Sequence, residues 1–192
     1  YVGTRGSFEE GLPGFSTEGT YINGFYESFP LEYEERFIGY ASSGQRILSL
    51  ANAKSIRITF EDGEAYDPLA PQSRITGCRR RLNLREGVLE RDLTWNSPTG
   101  KRLRLRSERL VSFKYPHIIA LRLTITPENS GSTLAISSLI DYQPAREAAE
   151  VHDPRSATGL DKIRVSSEPP QIVSQGVYLL QRTHRSQVAA VI

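Results

Sequence analysis

The sequence predicts an all-β fold, a large antiparallel two-sheet β-sandwich with few short helices. Three observations carry that prediction. Apolar residues recur at every second position from residue 47 onward, turn residues separate the runs at short intervals, and no βαβ unit interrupts them. The last point removes the parallel-sheet nucleotide folds. At 192 residues the chain fits one domain, 1–192, and a chain of this size buries roughly 70% of the surface its unfolded form exposes.

Ile56, Ile58 and Phe60 alternate with Arg57 and Thr59, and Glu61-Asp62-Gly63-Glu64 supplies a turn in which Gly63 can take positive φ. Leu93 and Trp95 alternate with Asp92 and Thr94. Beyond the loop Asn96 to Lys101, Leu103 and Leu105 alternate with Arg102, Arg104 and Arg106. Folded as a hairpin, the two runs set Asp92 and Thr94 opposite the Arg row, where cross-strand pairing neutralises it. Ile119, Leu121, Leu123 and Ile125 form the next run and end at Pro127. Leu134, Ile136 and Ile140 follow, and further strands are expected around Ile163 to Val165, Ile172 to Val173, Val177 to Leu180 and Val188 to Ile192. The polar stretch Pro144 to Asp161 holds one helical possibility, Ala145 to Glu150.

The first forty-six residues read differently, being rich in Gly, Glu and aromatic residues: Phe15, Tyr21, Phe25, Tyr26, Phe29, Tyr33, Phe37 and Tyr40. Sugars stack on aromatic faces, so one reading is a carbohydrate surface. The preferred reading is an irregular segment whose rings pack against the sheets or against a further domain. The chain opens at Tyr1 inside a Gly-rich motif, holds no Met, and ends on Gln187-Val-Ala-Ala-Val-Ile192 as if within a strand. It is therefore expected to be a segment of something larger.

Composition narrows the function. The net charge of +2 conceals Arg clusters at Arg79-Arg80-Arg81 and at Arg102, Arg104, Arg106 and Arg109, but Glu86, Glu90, Asp92 and Glu108 are interleaved with them. A phosphate-binding footprint is one-signed, so a mixed, paired surface is expected and no nucleic-acid partner. No apolar run approaches the roughly 18 residues that cross a bilayer, so no membrane partner is expected either. Cys78 is the one cysteine; it forms no internal disulfide, has no metal-ligand neighbours, and suits a reducing compartment.

Catalytic patterns are sparse. The chain has no Gly-x-Ser-x-Gly elbow, no Walker loop and no Gly-x-Gly-x-x-Gly motif after a strand. His117, His152 and His184 lack metal-ligand spacing. Glycoside hydrolysis uses two carboxylates about 5–10 Å apart. Glu9-Glu10 and Glu34-Glu35 are adjacent pairs that a strand would point to opposite faces. No catalytic, cofactor-binding or metal-binding residue is assigned.

Five segments occur in order: Gly3 to Gly11 (GTRGSFEEG), Gly19 to Gly24 (GTYING), Arg81 to Arg91 (RLNLREGVLER), Ser107 to Ser112 (SERLVS) and Ile119 to Pro127 (IALRLTITP). Together they resemble the N-terminal domain of glycoside hydrolase family 65, which includes maltose, trehalose and kojibiose phosphorylases and related hydrolases. The resemblance implies a β-sandwich preceding a helical (α/α)6 barrel in the same polypeptide. That barrel would carry the general acid and, in phosphorylases, the phosphate site. It also implies a parent that cleaves an α-linked glucosyl disaccharide with inversion, with inorganic phosphate as a possible co-substrate and no other cofactor. The chain itself would be a non-catalytic accessory domain that braces the barrel and makes subunit contacts, in a possible homodimer, in the cytoplasm. The stretch Phe37 to Asn52 looks more like the trehalose-acting branch than the maltose-acting one. The family normally has residues before Tyr1, so the first strand is expected to lack a partner. The competing class is a self-standing carbohydrate-binding module resting on the aromatics of residues 15 to 40.

Overall fold

The computed structural model of the chain describes residues 1–8, 18–33, 37–141 and 165–192. Among these every regular element is a strand. The helical possibility at Ala145 to Glu150 lies outside the described residues. The opening residues correct the sequence reading, because they are not irregular: β1 (Val2–Arg5), β2 (Gly19–Ile22), β3 (Tyr26–Pro30) and β4 (Ser43–Ile47) lie within or across the first forty-six positions. Two compact units are distinguished, Tyr1–Thr20 with Asn52–Asp141, and Tyr21–Ala51 with Tyr142–Ile192.

The first unit is a small antiparallel sandwich. β6 (Arg74–Asn83), β7 (Val88–Asn96), β8 (Arg102–Val111) and β9 (Ile119–Pro127) form a four-stranded meander, and β5 (Asn52–Phe60) pairs with β10 (Leu134–Asp141). The alternation seen in the sequence decides which side chains meet. Leu93 and Trp95 from β7, Leu103 and Leu105 from β8, and Ile58 and Phe60 from β5 make one buried cluster between the two layers. Burying such a side chain contributes about 1.5–3 kcal/mol. Trp95 is wholly buried without an orphaned donor: its Nε1–H donates to Ser73 Oγ at 2.5 Å and to the Asp67 carbonyl at 3.3 Å. At the end of β5 the chain turns where expected, with Gly63 at φ 89° and the Gly63 N–H donating to the Phe60 carbonyl at 2.9 Å. Ile136, on β10, is exposed.

The second unit holds β3 and β4 paired antiparallel, the hairpin β12 (Gln171–Val173) and β13 (Gly176–Tyr178), and a three-stranded sheet. That sheet runs β11 (Val165–Ser167), β14 (Leu180–Thr183) and β15 (Ala189–Val191). Phe25, Leu48 and Leu50 are its buried centre, with Ile22, Val165, Val188, Ala190 and Ile192 packed around them. Polar side chains point inward here as well. Gln181 Oε1 accepts the Ala51 N–H at 2.6 Å while its Nε2 donates to Ser167 Oγ at 3.1 Å. The buried amide therefore has a partner at each end, as burial of a polar group requires.

Candidate functional site

The solvent face of the meander is densely charged. Register places Arg79, Asp92, Arg106 and Thr124 on one rung across the four strands, and Arg81, Glu90, Glu108 and Arg122 on the next. A shallow cleft of about 170 Å³ opens there, lined by Arg79, Arg81, Glu90, Arg91, Asp92 and Arg106. Arg104 grips Asp92 with two of its nitrogens, Nε donating to Oδ1 at 3.0 Å and Nη2 to Oδ2 at 2.7 Å. Glu108 accepts from Arg106 at 3.0 Å and from Arg122 at 3.1 Å. The Arg104 guanidinium holds the Asp92 carboxyl below the usual carboxylate range. The Arg row thus meets carboxylates diagonally across the strands, as Arg104 meets Asp92, and along its own strand, as Arg106 meets Glu108, and the face alternates in sign where a phosphate-binding groove would carry one sign.

Among the described residues two charged side chains are buried. Glu27, on β3, is a carboxylate enclosed by donors: Oε1 accepts the Ser186 N–H at 2.8 Å, the Ser186 hydroxyl at 2.9 Å and the Ser28 N–H at 3.0 Å, and Oε2 accepts the Arg185 N–H at 2.8 Å. Burial works to raise its pKa, but the N–H groups of Arg185 and Ser186, the Ser186 hydroxyl and the Ser28 N–H together outweigh it and hold the carboxyl below its ordinary value. Lys54, on β5, donates to Asn52 Oδ1 at 2.7 Å, Thr20 Oγ1 at 3.0 Å and the Gly19 carbonyl at 3.2 Å. Burial pushes its amine down, with Glu18 acting against that shift. Three acceptors surround Lys54 Nζ and both oxygens of Glu27 are engaged, so Lys54 ties β5 to β2 and Glu27 ties β3 to the β14–β15 turn.

A third cluster joins loops. Lys101 pairs with Asp62 and, at 2.9 Å, with Glu64, and its Nζ lies 4.4 Å from the Phe60 ring centroid. Hydrogen bonding to Lys101 lowers Asp62; burial raises Glu64, but its bonds to Thr99, Lys101 and Ser97 bring it below its ordinary value. Among the described residues four carboxyls are thus perturbed, Glu27, Asp62, Glu64 and Asp92, and all four are lowered. A general acid for glycoside cleavage needs the opposite shift.

Of the residues weighed from sequence, His117 and His184 are exposed and far from any ligand set; among the described residues no group of three His, Cys, Asp or Glu side chains could hold a metal. Cys78 is exposed. Glu9, Glu10, Glu34, Glu35, His152 and Phe15 lie outside the described residues. The aromatic run divides: Phe25 and Phe29 are buried, Tyr21, Tyr26 and Tyr33 are half-buried, and Phe37 and Tyr40 stand out at 59% and 41% exposure. Tyr40 meets Tyr33 at 4.9 Å and Phe37 at 5.6 Å between centroids, with the planes tilted by 53° and 63°.

Sequence reasoning passed over a second set of exposed apolar side chains, Leu82 and Leu84 beside the β6–β7 turn and Phe113, Tyr115 and Ile118 between β8 and β9. The signal was available, since Asn83-Leu-Arg-Glu-Gly87 and Ser112-Phe-Lys-Tyr-Pro-His-Ile118 put large apolar residues where turns are ordinarily polar.

Comparison with known proteins agrees with this picture. The family described as glycosyl hydrolase family 65, N-terminal domain, matches residues 1–192. An alpha,alpha-trehalose phosphorylase of Thermoanaerobacter brockii is 40% identical over 144 residues, covering 73% of this chain and 18% of that protein. The alpha,alpha-trehalose phosphorylase of Geobacillus stearothermophilus is 30% identical over 193 residues, covering 99% of this chain and 25% of that one. The chain thus spans a quarter or less of the length of these two relatives. A solved structure, a putative kojibiose phosphorylase from the human microbiome, superposes with a TM-score of 0.63 at 20% identity, over 100% of this chain and 28% of that one; that likeness speaks for the fold.

Proposed function

The chain belongs to the glycosyl hydrolase family 65 N-terminal domain family, and on that premise we propose that it is the non-catalytic accessory domain of a phosphorylase acting on an α-linked glucosyl disaccharide, with trehalose the first candidate. The observation that carries the substrate class is the 40% identity to a trehalose phosphorylase. The site chemistry supports the accessory role: each carboxyl whose pKa is perturbed among the described residues is held down as a structural anion, where the reaction needs one held up as an acid.

In the parent enzyme the general acid would sit in a catalytic region of the same polypeptide and protonate the glycosidic oxygen. Inorganic phosphate would attack the anomeric carbon from the opposite face, and inversion would yield β-glucose 1-phosphate and free glucose from trehalose. The domain's part is to brace that region and make subunit contacts, in a cytoplasm reducing enough to keep the exposed Cys78 a thiol.

The test is phosphate-dependent cleavage of trehalose, maltose and kojibiose by the full-length gene product and by the 192-residue chain alone. Activity in the first and none in the second is expected. Cleavage by the 192-residue chain overturns the accessory role, and hydrolysis without phosphate dependence overturns the phosphorylase assignment.

A self-standing carbohydrate-binding module is a second reading, favoured by the exposed Phe37 and Tyr40 rings. Their tilt leaves no flat stacking platform, and no heat is expected on titrating gluco-oligosaccharides into the chain. Saturable heat abolished by Tyr40→Ala would establish the module reading instead.

A further inference from the structure

We infer that the end of the meander formed by the β6–β7 and β8–β9 turns is the surface on which the catalytic region of the same polypeptide docks. This rests on the accessory-domain reading above and assigns it a place on the molecule. Strand order fixes the geometry first. In an antiparallel meander the first and third turns fall at the same end of the sheet, here the residues following Asn83 and those following Val111. Register joins them, since Asn83 pairs with Val88 and Val88 with Leu110, and a Cβ added at Gly87 would stand 3.8 Å from the Leu110 side chain. Neighbouring strands are about 5 Å apart, so the two turns stand side by side. The N-terminus joins the same end, because the Val2 N–H donates to the Pro116 carbonyl at 2.8 Å.

What this end presents to solvent is unusual. Leu84 is 84% exposed and Phe113 85% exposed, with Tyr1, Leu82, Tyr115 and Ile118 beside them. Single exposed apolar residues are ordinary; several large ones gathered on adjoining turns mark a surface made to be covered. Elsewhere in this unit the exposed large apolar side chains among the described residues are single ones, Leu69 and Ile136, while Ile58, Phe60, Leu93, Trp95, Leu103 and Leu105 face the core. The occupant follows from size. The trehalose phosphorylases carry this region as 18% and 25% of their length, so most of such a polypeptide is available to cover the domain that resembles this chain. Arg85, Lys114 and His117 rim the patch and are exposed, and Lys114 Nζ lies 5.4 Å from the Tyr115 ring centroid. Glu86 is exposed in the same turn, so the partner surface is apolar at its centre and of mixed charge at its margin.

The test is oxidative footprinting of the native full-length enzyme, read by mass spectrometry at Leu84, Phe113 and Tyr115. Buried Trp95 sets the protected limit, and the urea-unfolded enzyme sets the exposed one. The expected result is oxidation of Phe113 and Tyr115 slowed about tenfold or more relative to the unfolded enzyme, unchanged on dilution. Oxidation of Phe113 within about twofold of the unfolded rate overturns the inference even where the same preparation cleaves trehalose with phosphate. Protection that disappears on dilution as dimers part assigns the surface to a second copy and overturns it too. Cleavage by the 192-residue chain alone removes the accessory reading separately, and a gene product without phosphate-dependent cleavage removes the phosphorylase assignment. A Leu84→Asp/Phe113→Asp pair gives a second readout: the catalytic region should become several-fold more sensitive to proteolysis, and equal sensitivity counts against docking at this end.

Discussion

Replacing Glu27 by Gln changes one oxygen for one NH2 group without altering shape, so no cavity complicates the reading. In the native chain Oε1 accepts three bonds from Ser28 and Ser186 and Oε2 accepts one from Arg185. The Gln variant keeps one oxygen for the Ser28 and Ser186 donors and sets its NH2 against the Arg185 N–H, donor facing donor. A hydrogen bond to a charged group contributes about 1.5–3 kcal/mol. The Arg185 bond is only partly shielded from water, so a loss of about 2 kcal/mol is expected, from a total of about 5–15 kcal/mol for a domain. For a chain of this size that lowers the midpoint by about 4–8 °C. The pH dependence gives a second check. Because the folded pKa is lowered, the carboxylate's contribution is complete above the unfolded value of about 4.3 and is lost as pH falls through the folded value. Urea denaturation of both proteins should therefore show the full gap at pH 7 and a narrowing gap under acid conditions. Equal midpoints at pH 7, or a gap of constant width down to the acid limit of the native state, would refute the charge-based argument.

Other expectations are simpler. Trp95→Ala should cost about 3–5 kcal/mol by opening a cavity in the wholly buried cluster of the first unit, measured by circular dichroism because the single Trp is gone. Gly44→Val should destabilise by about 1–3 kcal/mol, since a Cβ at Gly44 meets Phe29 Cζ at 3.0 Å; tolerance in a thermal melt would show that the Phe29 ring swings aside freely. Asp92→Asn should change stability by no more than about 1 kcal/mol, because its partner Arg104 is half exposed; a larger drop in urea would make the charged face a stability element. Cys78 should react with a thiol reagent in the native state to one equivalent, and a thiol that reports only after denaturation contradicts the exposed β6.

Legibility in the sequence followed the side chains' chemistry. Leu93, Trp95, Leu103 and Leu105 declare their face because each stands between polar residues on a strand whose other side meets water, and a short loop fixes their register. The opening strands conceal theirs. In Tyr26-Glu-Ser-Phe-Pro30 the inward residues are Glu27 and Phe29, and a carboxylate reads as outward until the donors of Ser186, 159 residues away, are known to meet it. Lys54, Gln181 and Thr183 are inward for the same reason. The turns carrying Leu84 and Phe113 were passed over in the other sense: large apolar residues stand there where turns are ordinarily polar, but an exposed patch leaves no period in the chain.

The position of β6 gives the triple Arg79-Arg80-Arg81 a different meaning. Among the described residues β6 is an outer strand of the meander, and its pairing slips between Thr76 and Arg79. A straight, uncharged outer strand invites another chain to add itself to the sheet, the route by which β proteins form fibrils. Here the slip bends the strand, and three cations in succession repel any like strand that approaches. The most basic run in the chain thus protects its solubility: neutralising it should shorten the time the protein stays dispersed at high concentration while leaving its folded stability nearly unchanged.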